Sequence, residues 1–200
     1  MNFLDIIIYT GTFVFAVTGA LKARAHQMDI FGAAVLAFVT AYGGGTIRDL
    51  LIGIRPVNWV NDYLALALVL SAVVIVSMVN KSMIKFKRTI FITDAIGLGM
   101  FTVAGIELSL LHNVNEPYAI VMGVISATFG GLLADILSNT VPDLLKLGEL
   151  YATACLLGGI IYMLLHKMGV EDNINLAVCV VIIVAIRIVS KLKRLTLPEI

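Results

Sequence analysis

GGGTIRDLLIGIRP occupies residues 43–56, and FGGLLADILSNTVP occupies residues 129–142. The two stretches carry one pattern, Gly-Gly, then Asp-x-Leu, then Pro, met twice at a constant offset of 86 residues. Working outward, residues 15–56 run onto 101–142 without a gap, and 12 of those 42 positions are identical. The identities include Phe15/Phe101, Gly19/Gly105, Gly44/Gly130, Gly45/Gly131, Asp49/Asp135 and Pro56/Pro142. A chain that contains itself twice folds as two copies of one unit. Duplicated membrane proteins place ion or substrate sites where the copies meet.

The composition fixes the solvent. The 200 residues are 60% hydrophobic and 14% charged, with a mean hydropathy of +1.02. Soluble chains are about 45–50% apolar and about 25% charged. Apolar stretches near the length of about 20 residues that crosses a bilayer recur between polar connections. Seven helices are expected, at about 4–22, 29–53, 60–79, 90–111, 117–140, 147–166 and 174–192. The class is all-α: one polytopic integral membrane domain over 1–200, with no soluble domain attached. MNFLDIIIYT at residues 1–10 lacks the basic start of a cleavable leader. Cys155 and Cys179 fall inside expected spans and read as small buried core residues.

The repeat unit, about 4–80 and again about 90–166, holds three spans, and three is odd. The second unit therefore enters the membrane upside down relative to the first, related to it by a pseudo-two-fold axis in the membrane plane. The seventh helix stands outside this symmetry. Of 14 Lys and Arg, ten fall on one side, two (Arg55 and Lys167) on the other, and Arg48 and Arg187 lie within spans. The positive-inside rule then puts the N-terminus outside and the C-terminus in the cytoplasm. The cluster KSMIKFKR at 81–88 reads as a topology determinant against anionic headgroups, and no extended basic face points to nucleic acid.

Gly43, Gly44 and Gly45 fall within the second helix, Gly130 and Gly131 within the fifth. Each glycine costs a helix about 1 kcal/mol relative to alanine, so the runs are expected to break both helices at membrane depth. Irregular backbone survives there only when buried or lining a water-filled cavity. The alternative is close packing, because small residues let membrane helices approach. Recurrence of the pair at the matching depth of an inverted unit favours the break.

Arg48, Asp49 and Asp135 are the charges beside these runs, and an ionisable group in a span normally has a partner. Position 134, where symmetry asks for arginine, is alanine. One arginine against two carboxylates leaves an excess negative charge when both ionise. Arg48 is expected to bridge the repeats to Asp135, with Asp49 held by helix-end amides or water. Asp94 reads as a charge at the start of the fourth helix. Glu107 reads as an interfacial side chain, and Trp59 and Tyr63 as interfacial anchors. His26 and His112 sit in connections without a matched ligand cluster, so no metal site is expected. No nucleophile–base set or nucleotide loop is present, and an enzyme is not expected.

FAVTGALKA in the first helix, MDIFG before the second, GGGTIRDLLIGIRPV at 43–57, DAIGLGMFTVAG in the fourth, and GGLLADILSNTVP at 130–142 together resemble the prokaryotic trimeric intracellular cation (TRIC) channel family. Its bacterial members also carry the description glycine transporter. The resemblance covers nearly the whole chain. It implies a homotrimer in which each protomer has its own pore, lined by glycine-broken helices 2 and 5 and passing monovalent cations, chiefly K⁺. Gly43, Gly44, Gly45, Arg48 and Asp49 match the first family motif, and Gly130, Gly131 and Asp135 match the second. The chain departs from that pattern at Phe129, where a third glycine is common, and at Ala134, where arginine is common.

The reading is a passive K⁺-permeable channel of a prokaryotic inner membrane, with no cofactor beyond the permeant K⁺ or Na⁺. Its partners are the lipid bilayer and further copies of itself. A transporter of a small amino acid such as glycine is the alternative, since inverted repeats also suit alternating access. A non-conducting structural membrane protein is the third.

Overall fold

The structure is a computed structural model that describes residues 2–80, 85–146 and 150–196. Its helices are α1 (Phe3–Ala25), α2 (Ile30–Ile52), α3 (Tyr63–Met78), α4 (Phe86–Leu111), α5 (Glu116–Leu137), α6 (Ala152–Lys167) and α7 (Asp172–Lys193). A single turn of 3-10 helix, Asp143–Leu145, lies between α5 and α6. Among the described residues there is no strand. Five helices are long and apolar enough to cross a bilayer; α3 and α6, repeat equivalents of each other, are shorter apolar helices of 16 residues. Residues 81–84 of the basic 81–88 cluster lie outside the described residues, as does the start expected for the sixth helix at 147–149.

Local chemistry sets the helix ends. The Asp29 carboxylate accepts a hydrogen bond from the Gly32 amide at 2.7 Å and caps α2. Asp62 does the same for α3 through Ala65. α2 stops at Gly53, whose φ of 81° is the left-handed conformation that glycine adopts without penalty. Pro117 is the second residue of α5, where a missing amide hydrogen costs nothing.

α1, α2, α4 and α5 form the centre, with α1 on α2, α4 on α5, α1 on α4 and α2 on α5. α3 covers α1 and α2; its equivalent α6 covers α4 and α5; α7 lies on α4 and α6. The contacts are reciprocal. Phe15 and Phe101, repeat mates, stack on each other with ring centroids 5.1 Å apart, so they meet on the pseudo-two-fold axis. The α1–α2 crossing at Gly19, against Ala37 and Thr40, recurs in α4–α5 at Gly105, against Gly123 and Ser126. Those partners are themselves 86 residues apart. Two inverted three-helix repeats and a seventh helix are what the chain builds.

The glycine runs do not break their helices. Both lie inside continuous α-helix, 30–52 and 116–137. A Cβ at Gly44 would collide with the carbonyl oxygen of Ser126, and one at Gly130 with that of Thr40. The glycines remove side chains where α2 and α5 cross, the close-packing role of small residues in membranes. A penalty of about 1 kcal/mol per glycine is too small to open backbone hydrogen bonds that have no water to replace them.

Candidate functional site

The contacts Gly44–Ser126 and Gly130–Thr40 set an antiparallel register between α2 and α5. Asp49 follows Gly44 toward one face of the molecule, and Asp135 follows Gly130 toward the other. The face holding the end of α1 and the start of α4 is rich in lysine; the other carries the start of α1 and the end of α4. A polar cavity enters from each face. On the lysine-rich face it measures about 580 Å³, with Lys22, Asp94, Asp135, Tyr151 and Arg187 in its wall. On the opposite face it measures about 260 Å³, with Asp5, Arg48, Asp49, Asp62 and Leu108 in its wall. The two share no lining residue.

In the smaller cavity, Arg48 donates from Nη2 and Nε to Asp49 Oδ1 at 2.6 and 3.0 Å. Its Nη1 donates to Ser126 Oγ of the other repeat at 3.0 Å. Asp49 Oδ2 accepts from the Asn58 amide at 2.9 Å, which fastens the connection after Pro56 onto the end of α2. Trp59 follows that connection back, donating to Thr46 Oγ1 at 2.8 Å and packing on Phe38 and Tyr42. Tyr63 is exposed.

In the larger cavity, Asp135 Oδ1 accepts from Lys22 Nζ at 2.6 Å, and Oδ2 accepts from the Asp143 amide at 2.9 Å. Each repeat therefore uses its aspartate in one way: one carboxylate oxygen meets a cation, and the other holds the connection just past the shared proline. All four charged side chains are buried, from 1% exposure at Asp49 to 7% at Lys22.

The expected Arg48–Asp135 bridge does not form. In the observed register Arg48 lies level with Met122, about thirteen residues or about 20 Å along the helix from Asp135. Inversion itself causes this: residues beyond a crossing point in both repeats leave in opposite directions. Nor is there an excess carboxylate, because Lys22, one of the ten cations counted on one side, is buried against Asp135. The signal was present in the repeat alignment. Lys22 has Leu108 as its mate, and Arg48 has Ala134. Each half keeps one cation for its aspartate but supplies it from a different position.

Asp94 is a second correction. α4 begins at Phe86 rather than near residue 90, so Asp94 lies two turns inside and is buried. Tyr151 donates its hydroxyl to Asp94 Oδ1 at 3.1 Å, and Arg187 of α7 stands 3.5 Å from Oδ2. Arg187 also lies over the rings of Phe91 and Tyr151, at 5.0 and 4.7 Å, and donates to the Leu150 carbonyl. The seventh helix thus closes one wall of the larger cavity. Elsewhere, Glu107 accepts from the Tyr162 hydroxyl, and Cys155 and Cys179 are buried free thiols. Gly45 lines the smaller cavity, and its mate Gly131 faces the hydroxyl of Tyr151 in the wall of the larger.

A chain of this architecture has close relatives. The family model described as glycine transporter matches residues 5–79 and again 91–167, once per repeat. The inner membrane protein YadS of Escherichia coli K12 is 41% identical over 161 residues, covering 80% of this chain and 75% of that protein. A membrane protein of Vibrio cholerae is 38% identical over 199 residues, covering 98% of this chain and 82% of that one. The crystal structure of the TRIC channel orthologue from Rhodobacter sphaeroides superposes with a TM-score of 0.88 at 34% identity, covering 98% of this chain and 100% of that one. A prokaryotic TRIC channel crystallised in 0.5 M KCl gives 0.86 at 31%, covering 97% and 98%. The chain is a multi-pass membrane protein and belongs to the prokaryotic TRIC channel family, whose bacterial branch bears the description glycine transporter.

Proposed function

We infer that the protein is a passive monovalent-cation channel, permeable to K⁺, with one pore in each protomer. The observation that carries this reading is the pair of charge-lined cavities, one from each face, at equivalent places in the two inverted repeats. Conduction needs a separation of α2 and α5 at their crossing, where Gly44 and Gly130 each lie against a backbone carbonyl of the other helix and Gly43 lies against Gly130 and the Leu133 side chain. Gly45 leaves open space in the wall of the smaller cavity, and Gly131 admits the Tyr151 hydroxyl that lines the larger. Arg48, Asp49 and Asp135 are the buried charges that flank the passage, where polar groups in a low-dielectric wall replace part of an ion's hydration. The likeness to channels named trimeric supports a homotrimer. The lysine-rich face is the cytoplasmic one, with the N-terminus outside, and the membrane is the inner membrane, as for YadS.

Purified protein in liposomes tests the reading. K⁺ flux that rises linearly with its gradient and does not saturate is the expected result. The description glycine transporter and the inverted repeats favour a second reading, alternating access to a small amino acid. Saturable glycine uptake without ion conductance would establish that one instead.

A further inference from the structure

The two cavities are equivalent places in the two repeats, yet they carry opposite charge. Lys22, Phe91, Asp94, Asp135 and Tyr151 of the larger correspond to Leu108, Asp5, Ile8, Asp49 and Ala65 of the smaller, and every one of these lines its cavity. In the smaller cavity three carboxylates, Asp5, Asp49 and Asp62, face one cation, Arg48. In the larger, five cationic side chains face three carboxylates, Asp94, Asp135 and Asp143. Ion pairing matches Arg48 with Asp49 in the smaller cavity and Lys22 with Asp135, Lys146 with Asp143 and Arg187 with Asp94 in the larger, so an imbalance of two charges remains in each: acid in one, base in the other.

We propose that the protein rectifies, passing cations more readily from the acid-lined cavity to the lysine-lined cavity than in reverse. The proposal rests on the channel reading above. Low-dielectric walls focus the field of fixed charges, which concentrates cations in the acid-lined cavity and depletes them from the other. Flow out of the enriched reservoir is fed at a higher local concentration than flow out of the depleted one. Salt removes the effect, since the screening length falls from about 30 Å at 0.01 M to about 3 Å at 1 M. With the lysine-rich face in the cytoplasm, the favoured direction is inward, so the duplicated fold serves cation uptake better than release.

The test is the current–voltage relation of inside-out patches from spheroplasts expressing the chain, where all copies share one orientation. Symmetric KCl is used at about 0.01 M and about 1 M. The expected result is an inward current at least about twice the outward one at low salt, and a ratio near one at high salt. Asp5→Asn with Asp62→Asn should reduce the low-salt ratio toward one. Asparagine still caps α3 at position 62, and unchanged elution in detergent checks folding. A linear relation at low salt, rectification in the opposite sense, or rectification that persists at high salt would overturn the proposal while leaving the channel intact. Absence of any current from the folded protein would overturn both.

Discussion

Asp49 and Asp135 show how one residue keeps its task while its partner changes. Each holds the connection beyond its proline and each meets one cation, but Arg48 comes from the same helix and Lys22 from another. Removing one member of a buried pair leaves an uncompensated charge, which costs about 3–5 kcal/mol. Lys22→Leu should therefore lower thermal stability in detergent by about that amount. Lys22→Leu with Ala134→Arg, which gives the second repeat the arrangement of the first, should recover part of it. A double variant no more stable than Lys22→Leu would show that position 134 cannot serve Asp135. Arg48→Ala and Asp135→Asn are about 20 Å apart, so their effects on stability should add to within about 0.5 kcal/mol. A clear departure from additivity would contradict the register.

At the scale of the element, adjacent glycines carry opposite predictions. A Cβ at Gly44 meets the Ser126 carbonyl, part of a helix backbone that cannot step aside, whereas the nearest atom to one at Gly45 is Arg48 Nη2 at 3.8 Å. Gly44→Ala should cost about 1–3 kcal/mol through forced separation of α2 and α5. Gly45→Ala should be neutral or stabilise by up to about 1 kcal/mol through helix propensity. Thermal unfolding of the two single variants checks the contrast. Equal effects would mean that Gly44 does not sit at the crossing. The sequence marked these glycines as special without saying whether they bend a helix or let another one in. That choice depends on what lies opposite, and only the antiparallel register places the Ser126 and Thr40 carbonyls there.

For the whole molecule, hydropathy and the repeat were enough to read seven helices and their inversion, because a bilayer admits few ways to satisfy a backbone. Boundaries were less legible. The start of α4 lies four residues earlier than its apolar pattern suggests, and that shift turns Asp94 from a helix-end charge into a buried partner of Tyr151 and Arg187. Partners across helices were the least legible, since Lys22 and Asp135 are 113 residues apart. Topology is testable as a whole: a C-terminal reporter should be active in the cytoplasm and an N-terminal one outside. Reporters on one side would require an even number of spans and would remove the inversion.

The two ways of supplying a cation also differ in time. Arg48 and Asp49 are consecutive, so that charge pair is neutral from the moment it leaves the ribosome. Lys22 must wait for the synthesis of 113 further residues before Asp135 exists. At about 5–20 residues per second that interval is about 6–23 s. During it, α1 lies in the bilayer with a lone ammonium, tolerable because Lys22 is three residues from the end of the helix and its stem reaches the headgroups. The first repeat's aspartate has its cation at once; the second repeat's is matched only when α5 forms and draws that lysine inward.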